Sequence, residues 1–364
     1  MSVETDNLLD ATKAGKVDRL KELLHNETDP NAQQDRFGRT ALSWAAGNGN
    51  VEVVNLFLAN GSNPNIKDRF GGTALGHAVQ KTETEVCRLL LANQADPNLL
   101  DSGGYTALIR AAYLGSTEIV RLLLASGADP NVHTADKNTA LILATENGHI
   151  EVAGMLVSNG VDLNVQNEEG KGALVLAVQS SQDELVDLFL TNRADPNMQD
   201  YSGCTALIEA VEKENVGVIR LLIANGANPN VQDNEGGTAL FRAAERGPAV
   251  DIVRLLLVGG ADPNIQNDYG YTALMLAARH NFVDVVRLLL SHRARPGVQN
   301  KDGNTALMLA TREGHDAVVD TLLHAHAEHF RRYSDVPRTI VGDEVAGTMI
   351  QSKGGHSRKR KERT

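Results

Sequence analysis

The stretch DSGGYTALIRAAYLGSTEIVRLLLASGADPN, residues 101–131, sets the pattern for almost the whole chain. Its Thr-Ala-Leu triplet returns every 33 residues, with one longer step of 34 between Thr238 and Thr272, and Gly172 stands at one threonine position. A fixed period of this size is typical of a repeat protein, in which each unit buries its apolar face against its neighbours. The threonines of the series are Thr40, Thr73, Thr106, Thr139, Thr205, Thr238, Thr272 and Thr305.

Each part of this stretch has a physical role. The hydroxyl of Thr106 can cap a short helix, and the apolar residues after it give that helix one buried face. Gly115 ends the first helix, and a second apolar helix follows up to Gly127. The triplet Asp129-Pro130-Asn131 then turns the chain, because proline cannot continue a helix. Eight of the ten prolines share this register: Pro30, Pro64, Pro97, Pro130, Pro196, Pro229, Pro263 and Pro296.

The unit resembles the ankyrin repeat, with its hairpin-like turn, two antiparallel helices and closing G-A-D-x-N loop, over about residues 7–329. The resemblance implies an all-α helical solenoid of helix-turn-helix repeats joined by hairpin-like loops. One departure is systematic, since the T-P-L-H of the family is T-A-L here. The histidine is replaced mostly by apolar residues, which we expect to be buried: Ser43, Gly76, Ile109, Ile142, Val175, Ile208, Phe241, Met275 and Met308.

The period also predicts the domain organisation. Residues 1–6 are expected to be a mobile N-terminus, and residues 7–39 a degenerate capping repeat with a polar outer face. Nine ankyrin-like repeats are predicted over residues 40–329, the last acting as a cap. Residues 330–364 leave the pattern and are predicted to be a basic, disordered tail.

The centre of the array is its least regular part. Lys137 stands where other repeats have a glycine two residues before the threonine, and a positive φ there would cost lysine about 1 kcal/mol. Gly172 replaces the capping threonine of the following repeat, and Leu163 breaks the proline register. We therefore expect the flanks to separate around residues 134–175 on unfolding.

Charge and composition exclude several classes of protein. The chain carries a net charge of −11. Residues 1–330, without the basic tail, are more acidic still, so the repeats are not expected to bind nucleic acid. No apolar run is long enough to span a membrane, and no secretory segment opens the sequence. The two cysteines, Cys87 and Cys204, lie in different repeats, which favours a reducing, cytoplasmic or nuclear setting.

The sequence offers no motif for catalysis, and no cofactor is expected. There is no nucleophile elbow, P-loop or dinucleotide fingerprint, and the acidic residues recur with the repeat as turn residues do. The alternative is a metal site at His324, His326 and His329. Histidines two positions apart on a helix point to nearly opposite sides, so a solvated helix end is the preferred interpretation and no metal is predicted.

The candidate binding residues lie at hairpin tips and first helices of three consecutive repeats. Interfaces draw much of their energy from aromatic and arginine anchors, and nearby basic residues make this end locally positive. Alternatively, the tip aromatics pack on the next hairpin, and Trp44 and Tyr113 fill gaps between first helices. The site would then lie elsewhere, around Tyr269 and Tyr271. The candidates are Arg36, Phe37, Trp44, Phe70, His77, Tyr105, Arg110 and Tyr113.

By resemblance, the chain is expected to be a non-enzymatic, monomeric scaffold or adaptor that binds a protein on the concave face of the array. The local charge favours a partner with an acidic, partly apolar segment. The alternative is a nuclear or shuttling regulator that masks a transcription factor or similar partner. That alternative depends on Arg358, Lys359, Arg360 and Lys361, which resemble a nuclear-import signal but equally fit a solvated basic tail.

Overall fold

A computed structural model describes residues 7–26, 28–247 and 249–333, with side chains up to Ala325. The described residues contain twenty helices, which follow one another as ten pairs. They are α1 (Leu8–Lys13), α2 (Val17–His25), α3 (Ala41–Gly47), α4 (Val51–Ala59), α5 (Ala74–Gln80), α6 (Thr84–Ala92), α7 (Ala107–Tyr113), α8 (Thr117–Ala125), α9 (Ala140–Glu146), α10 (Ile150–Ser158), α11 (Ala173–Gln179), α12 (Asp183–Thr191), α13 (Ala206–Glu212), α14 (Val216–Ala224), α15 (Ala239–Arg246), α16 (Val250–Val258), α17 (Ala273–Arg279), α18 (Val283–Ser291), α19 (Ala306–Glu313) and α20 (Asp316–Tyr333).

The chain divides into two compact units, one ending at Asn228 and the other beginning at Pro229. The first unit contains α1 to α14 and the second contains α15 to α20. Within each unit, first helices pack on the first helices of adjacent repeats, and second helices on second helices. This is the helical repeat packing of the predicted all-α ankyrin-type solenoid class.

The repeated threonines cap the first helices as predicted. Thr106 has an extended backbone, and its hydroxyl accepts a hydrogen bond from the backbone N–H of Ile109 at 3.2 Å. The same side-chain cap precedes α3, α5, α9, α13, α15, α17 and α19. Gly172 adopts the same extended backbone before α11 but supplies no side-chain cap. That helix therefore begins with one backbone donor fewer satisfied.

The hairpin turns require one residue with a left-handed backbone. Gly104 has a φ of +78°, and a Cβ there would lie 3.0 Å from the backbone nitrogen of Ala135 in the next repeat. Both facts favour glycine. Lys137 occupies the equivalent position with a φ of +59°, so the structure places the lysine in the strained conformation expected from the sequence.

The closing Asp-Pro-Asn loops join consecutive repeats through their asparagines. Asn98 accepts a hydrogen bond from the backbone N–H of Asp129 at 2.8 Å and donates to the carbonyl oxygen of Gly127 at 3.0 Å. Asn65 makes the equivalent bonds one repeat earlier, with Asp96 and Gln94. The asparagine at this position therefore satisfies backbone groups of the following repeat, which explains why it returns with the period.

The cores contain the apolar residues expected from the pattern. Leu108, Ile109 and Leu123 are all buried in the repeat that contains α7 and α8. The residues that replace the family histidine are mostly buried too, but Met308 is 52 % exposed and Gly76 adds no side chain at all. In the second unit, α20 runs to Tyr333 and so continues past residue 330, where the tail was predicted to begin.

Candidate protein-binding surface

The predicted binding residues lie on three consecutive repeats of the first unit. The rings of Phe37 and Phe70 are 6.3 Å apart, centre to centre, at adjacent hairpin tips. The tips are also joined by a backbone hydrogen bond of 2.9 Å from Arg69 N–H to the carbonyl oxygen of Phe37. Phe70 nevertheless keeps 61 % of its surface exposed, and Tyr113 on α7 keeps 51 %. These two aromatics are available for contact with another molecule.

Trp44, His77 and Arg110 occupy the same position on successive first helices, and each is bonded to an aspartate nine residues earlier. The Trp44 indole Nε1–H donates to Asp35 Oδ2 at 3.1 Å. His77 Nε2 lies 2.9 Å from Asp68 Oδ2, and the guanidinium of Arg110 donates to Asp101. The three side chains therefore hold their own hairpin turns in addition to any role in binding.

The aspartates were not identified as part of this surface from the sequence. Oδ1 of Asp101 accepts the backbone N–H groups of Gly103 and Tyr105, each at 2.9 Å, which closes the turn. Its Oδ2 then receives the Arg110 guanidinium. Asp68 does the same, with Oδ1 bound to Phe70 and Gly72 N–H and Oδ2 bound to His77. The constant spacing of nine residues was the signal that could have revealed these pairs.

Most of the other repeats solve this position in one of two ways. In the second unit, Arg242 donates to Asp233 Oδ2 at 2.7 Å, which repeats the aspartate pairing. Four repeats instead have a buried leucine on the helix and a neutral residue in the turn. These turn and helix residues are Thr134 with Leu143, Asn167 with Leu176, Asn267 with Leu276 and Asn300 with Leu309. In these eight repeats a charged turn residue is matched by a donor and a neutral one by an apolar side chain. The repeat of α13 departs from this, with Asp200 in the turn and Glu209 on the helix.

Cations lie over the aromatic rings at the N-terminal end of this surface. The Arg39 guanidinium is 4.0 Å from the centre of the Trp44 ring, and the Lys13 ammonium lies 5.2 Å from it. The Arg36 guanidinium is 4.6 Å from the Phe37 ring. Cation–π contacts at partly exposed sites contribute about 0.5–1 kcal/mol each. They therefore help to fix Trp44 and Phe37 in place before any partner binds.

The local positive charge is smaller than the sequence indicated. Arg39 forms an ion pair with Asp35, and Arg110 forms one with Asp101, so two of the basic residues are already neutralised. Among the described residues, Arg69 and Lys81 have no acidic partner within 4.0 Å, and neither does Arg36. The charge that remains for an acidic partner is therefore carried by these three side chains.

A cleft of about 220 Å³ opens in the middle of the candidate surface, between α5 and α7. It coincides with Gly76, where a Cβ would have only the Thr73 hydroxyl within 4 Å, at 3.7 Å. Four of the candidate residues, Phe70, His77, Tyr105 and Arg110, line it. The remaining lining residues are Asp68, Gly71, Gly72, Thr73, Gly76, Gln80, Asp96, Leu99, Asp101, Thr106 and Ala107.

The second aromatic group lies in the other unit. Tyr269 occupies the tip position equivalent to Phe70 and is 66 % exposed, while Tyr271 is half-buried. Tyr201, at a tip of the first unit, is 65 % exposed. Exposure of a tip aromatic is therefore not confined to the candidate surface, and Tyr269 provides a matched comparison for Phe70.

The described part of the chain shows no site for metal chemistry. No group of three His, Cys, Asp or Glu side chains is arranged to hold a metal ion there. His324 is exposed on α20, and the side chains of His326 and His329 lie outside the described part. Burial, aided by the nearby Glu83 carboxylate, raises the pKa of the Cys87 thiol to about 12. Cys87 and Cys204 are not joined by a disulfide. A protonated, buried thiol is a poor nucleophile, so Cys87 is a core residue.

Three sequence predictions lie wholly or largely outside the described residues, the first being the N-terminus of residues 1–6. The import-like residues Arg358, Lys359, Arg360 and Lys361 lie beyond residue 333, as does nearly all of the predicted tail.

Among the helices of residues 7–26, 28–247 and 249–333, none combines the length and apolarity required to cross a bilayer.

Comparison with known families agrees with this geometry. A model described as "Ankyrin repeats (3 copies)" matches residues 8–101, 91–167, 174–267 and 240–332. The chain therefore belongs to the ankyrin repeat family. A 63-residue segment, 17% of the chain, is 41% identical to the 2-5A-dependent ribonuclease of Mus musculus. That segment spans only 9% of the mouse protein.

Proposed function

We propose that this protein is a non-enzymatic scaffold or adaptor that binds a protein partner through the candidate surface on its first unit. Arrays of ankyrin repeats are typically non-catalytic interaction modules, which supports this proposal. The match to the mouse ribonuclease covers 9% of that protein, so the proposal does not extend to its activity. The binding surface comprises Arg36, Phe37, Trp44, Phe70, His77, Tyr105, Arg110 and Tyr113.

The observation that carries this proposal is the coincidence of exposed aromatics with a cleft. Phe70 and Tyr113 are both more than half exposed on adjacent repeats, and Phe70 lines the opening together with Tyr105 and Arg110. Tyrosine, tryptophan and arginine near the centre of a patch supply most of the binding energy in protein interfaces. The unpaired cations at Arg36, Arg69 and Lys81 favour an acidic segment in the partner.

The experiment compares capture of partners by variants of the full chain. Phe70→Ala combined with Tyr113→Ala removes two exposed rings that form no hydrogen bond through their side chains among the described residues. Proteins recovered with the wild-type chain should be depleted at least tenfold with this variant, as measured by quantitative mass spectrometry. Tyr269→Ala is the matched control because it removes an equally exposed tip aromatic of the second unit.

The same experiment can place the site elsewhere. Undiminished capture by the Phe70 and Tyr113 variant, together with loss of capture by Tyr269→Ala, would move the interface to the second unit. A melting temperature within about 1 °C of wild type is required of both variants, since exposed positions contribute little to stability.

The basic end of the chain favours a second version of this function, a nuclear or shuttling regulator that masks a transcription factor or similar partner. Four consecutive cations, Arg358, Lys359, Arg360 and Lys361, resemble a nuclear-import signal. A fluorescently tagged chain lacking residues 357–364 should lose nuclear accumulation if this signal works. Equal distribution with and without these residues would favour the cytoplasmic adaptor.

A further inference from the structure

The cleft between α5 and α7 is a vacancy in the chain's own packing pattern. At the register of Gly76, six other repeats place a buried apolar side chain on the first helix, as with Ile109, Ile142 and Ile208, whereas the preceding repeat has Ser43. Gly76 lacks that side chain, and its ideal Cβ position has free space around it. The repeats with isoleucine thus show that a branched aliphatic side chain fits this register.

The size of the cleft limits its occupant. Binding sites for small molecules and cofactors are usually about 300–1,000 Å³, whereas this cleft is about 220 Å³. It is therefore better suited to one side chain than to a whole ligand. Phe70, Leu99 and Tyr105 contribute apolar surface to its walls, so an aliphatic group would be removed from water on several sides.

The two carboxylates of the hairpin turns do not oppose an apolar occupant at the cleft, and the third lining carboxylate, Asp96, is exposed and accepts the backbone N–H of Asn98. Asp68 is bonded to two backbone N–H groups and to His77, and Asp101 is bonded to two backbone N–H groups and to Arg110. Covering a carboxylate whose partners are in place does not leave a buried charge uncompensated. The built-in Asp–donor pairs thus let the cleft be filled by hydrocarbon without a large desolvation cost.

Charge on both sides of the cleft indicates what flanks this side chain. Arg69 precedes α5 and Lys81 follows it, and neither has an acidic partner within 4.0 Å among the described residues. Arg69 lies in the hairpin turn five residues before α5 begins, and Lys81 directly follows the helix. A partner segment with acidic residues within a few positions of the anchor on both sides is complementary to these two cations.

We propose that the Gly76 cleft is the anchor pocket for one aliphatic side chain, leucine or isoleucine, in an extended partner segment with acidic residues on both sides. This inference rests on the proposed function, because it assigns a position and a chemistry to the centre of the same surface. It adds that Gly76 determines specificity by leaving out a side chain that the fold otherwise supplies.

The test uses synthetic peptides and the full chain. Fluorescein-labelled peptides of sequence Gly-Asp-Glu-Ser-X-Ser-Glu-Asp-Gly, with X as Ala, Leu, Ile or Glu, are titrated by fluorescence anisotropy. Leu and Ile peptides should bind about tenfold or more tighter than the Ala peptide, because each buried methylene adds to affinity. The Glu peptide should bind more weakly than the Ala peptide in spite of its extra charge.

Two substitutions at one position locate the preference. Gly76→Ile places in the cleft the residue that α7 and α9 have at this register, and should abolish the preference for Leu and Ile over Ala. Gly76→Ala is the matched control, since it adds only a Cβ and should keep most of the preference. Both variants should melt no lower than the wild type, which excludes unfolding as the reason for any loss.

The outcomes separate this inference from the proposed function. Binding that is equal for Ala and Leu peptides, or a Leu preference that survives Gly76→Ile, overturns the anchor pocket. If the peptides bind without that preference but the double variant Arg69→Ser, Lys81→Ser no longer binds them, the surface binds acidic segments by charge. In that case only the assignment of the cleft is wrong. Absence of binding by any peptide also overturns the anchor pocket, and the Phe70 and Tyr113 capture experiment then decides the proposed function independently.

Discussion

The indole Nε1–H of Trp44 donates a hydrogen bond to Oδ2 of Asp35 at 3.1 Å, and this pair ties the first helix α3 to its own hairpin turn. Oδ1 of the same carboxylate accepts the backbone N–H groups of Phe37 and Arg39 at 2.8 and 2.9 Å. Trp44 was predicted from the sequence to be a binding residue. The hydrogen bond gives the indole a structural role as well.

Trp44→Ala should lower the free energy of unfolding of the first unit by about 2 kcal/mol, because a hydrogen bond to a charged group contributes about 1.5–3 kcal/mol. Circular dichroism during urea unfolding measures this. Trp44→Leu with Asp35→Asn is the control, since it introduces the combination found at Leu176 and Asn167. It should recover at least half of the loss, and a double variant no more stable than Trp44→Ala would contradict the pairing rule.

The pH dependence of stability should report Asp35 directly. Burial raises the pKa of this carboxyl group. The hydrogen bonds from Arg39, Phe37 and Trp44 lower the pKa by more than burial raises it, to about 2. A lowered folded pKa means that the stabilisation is complete above the unfolded pKa, near 3.9, and is lost as the pH falls toward 2. The difference in unfolding free energy between wild type and Asp35→Asn should therefore shrink between pH 4 and pH 2. A constant difference across that range would show that the charge contributes nothing.

The irregular centre of the first unit can be made regular by two substitutions. Lys137→Gly removes a side chain from a φ of +59°, and Gly172→Thr restores a cap at a position with the required extended backbone. Together they should stabilise by about 1–1.5 kcal/mol. The unfolding transition monitored by Trp44, the only tryptophan, should also become steeper in urea. The control is Gly104→Lys, which must destabilise, and a gain from that change would refute the strain argument.

The asparagine contacts between repeats should be measurable at an exposed position. Asn98→Ala removes one accepted and one donated hydrogen bond to the following repeat, at Asp129 and Gly127. We expect a loss of about 1 kcal/mol, since an intramolecular hydrogen bond contributes about 0.5–1.5 kcal/mol net. Asn93→Ala is the control because its side chain bonds only to Leu89 within its own helix. If chemical denaturation gives the same loss of unfolding free energy for both changes, the hydrogen bonds between repeats contribute no more than those within one helix.

Removal of the C-terminal residues should leave the repeats folded. Truncation after Tyr333, where α20 ends, should change the melting temperature by no more than about 1 °C, because the segment lacks a periodic apolar face. Truncation after His315 is the contrasting control, since it removes Val318 and Leu322, both fully buried against the preceding repeat. A loss of several degrees in the first truncation would show that the tail packs on the repeats.

The sequence by itself determined the repeat class, the helix pairs and the backbone of the turns. These features depend on groups a few residues apart, such as the Thr106 hydroxyl and the Ile109 N–H, and so they can be inferred from spacing alone. The same locality explains why the strained Lys137 could be predicted before its φ was known.

Only the tertiary structure decided which candidate residues are exposed. Trp44 and Arg110 are hydrogen-bonded to Asp35 and Asp101, respectively. Phe70 and Tyr113, in contrast, have more than half of their surface exposed. The cleft at Gly76 likewise exists because side chains of two adjacent repeats leave a volume between them that neither repeat encodes alone. Exposure and cavities depend on how side chains from different repeats pack together. The 33-residue pattern describes each repeat by itself and does not predict that packing.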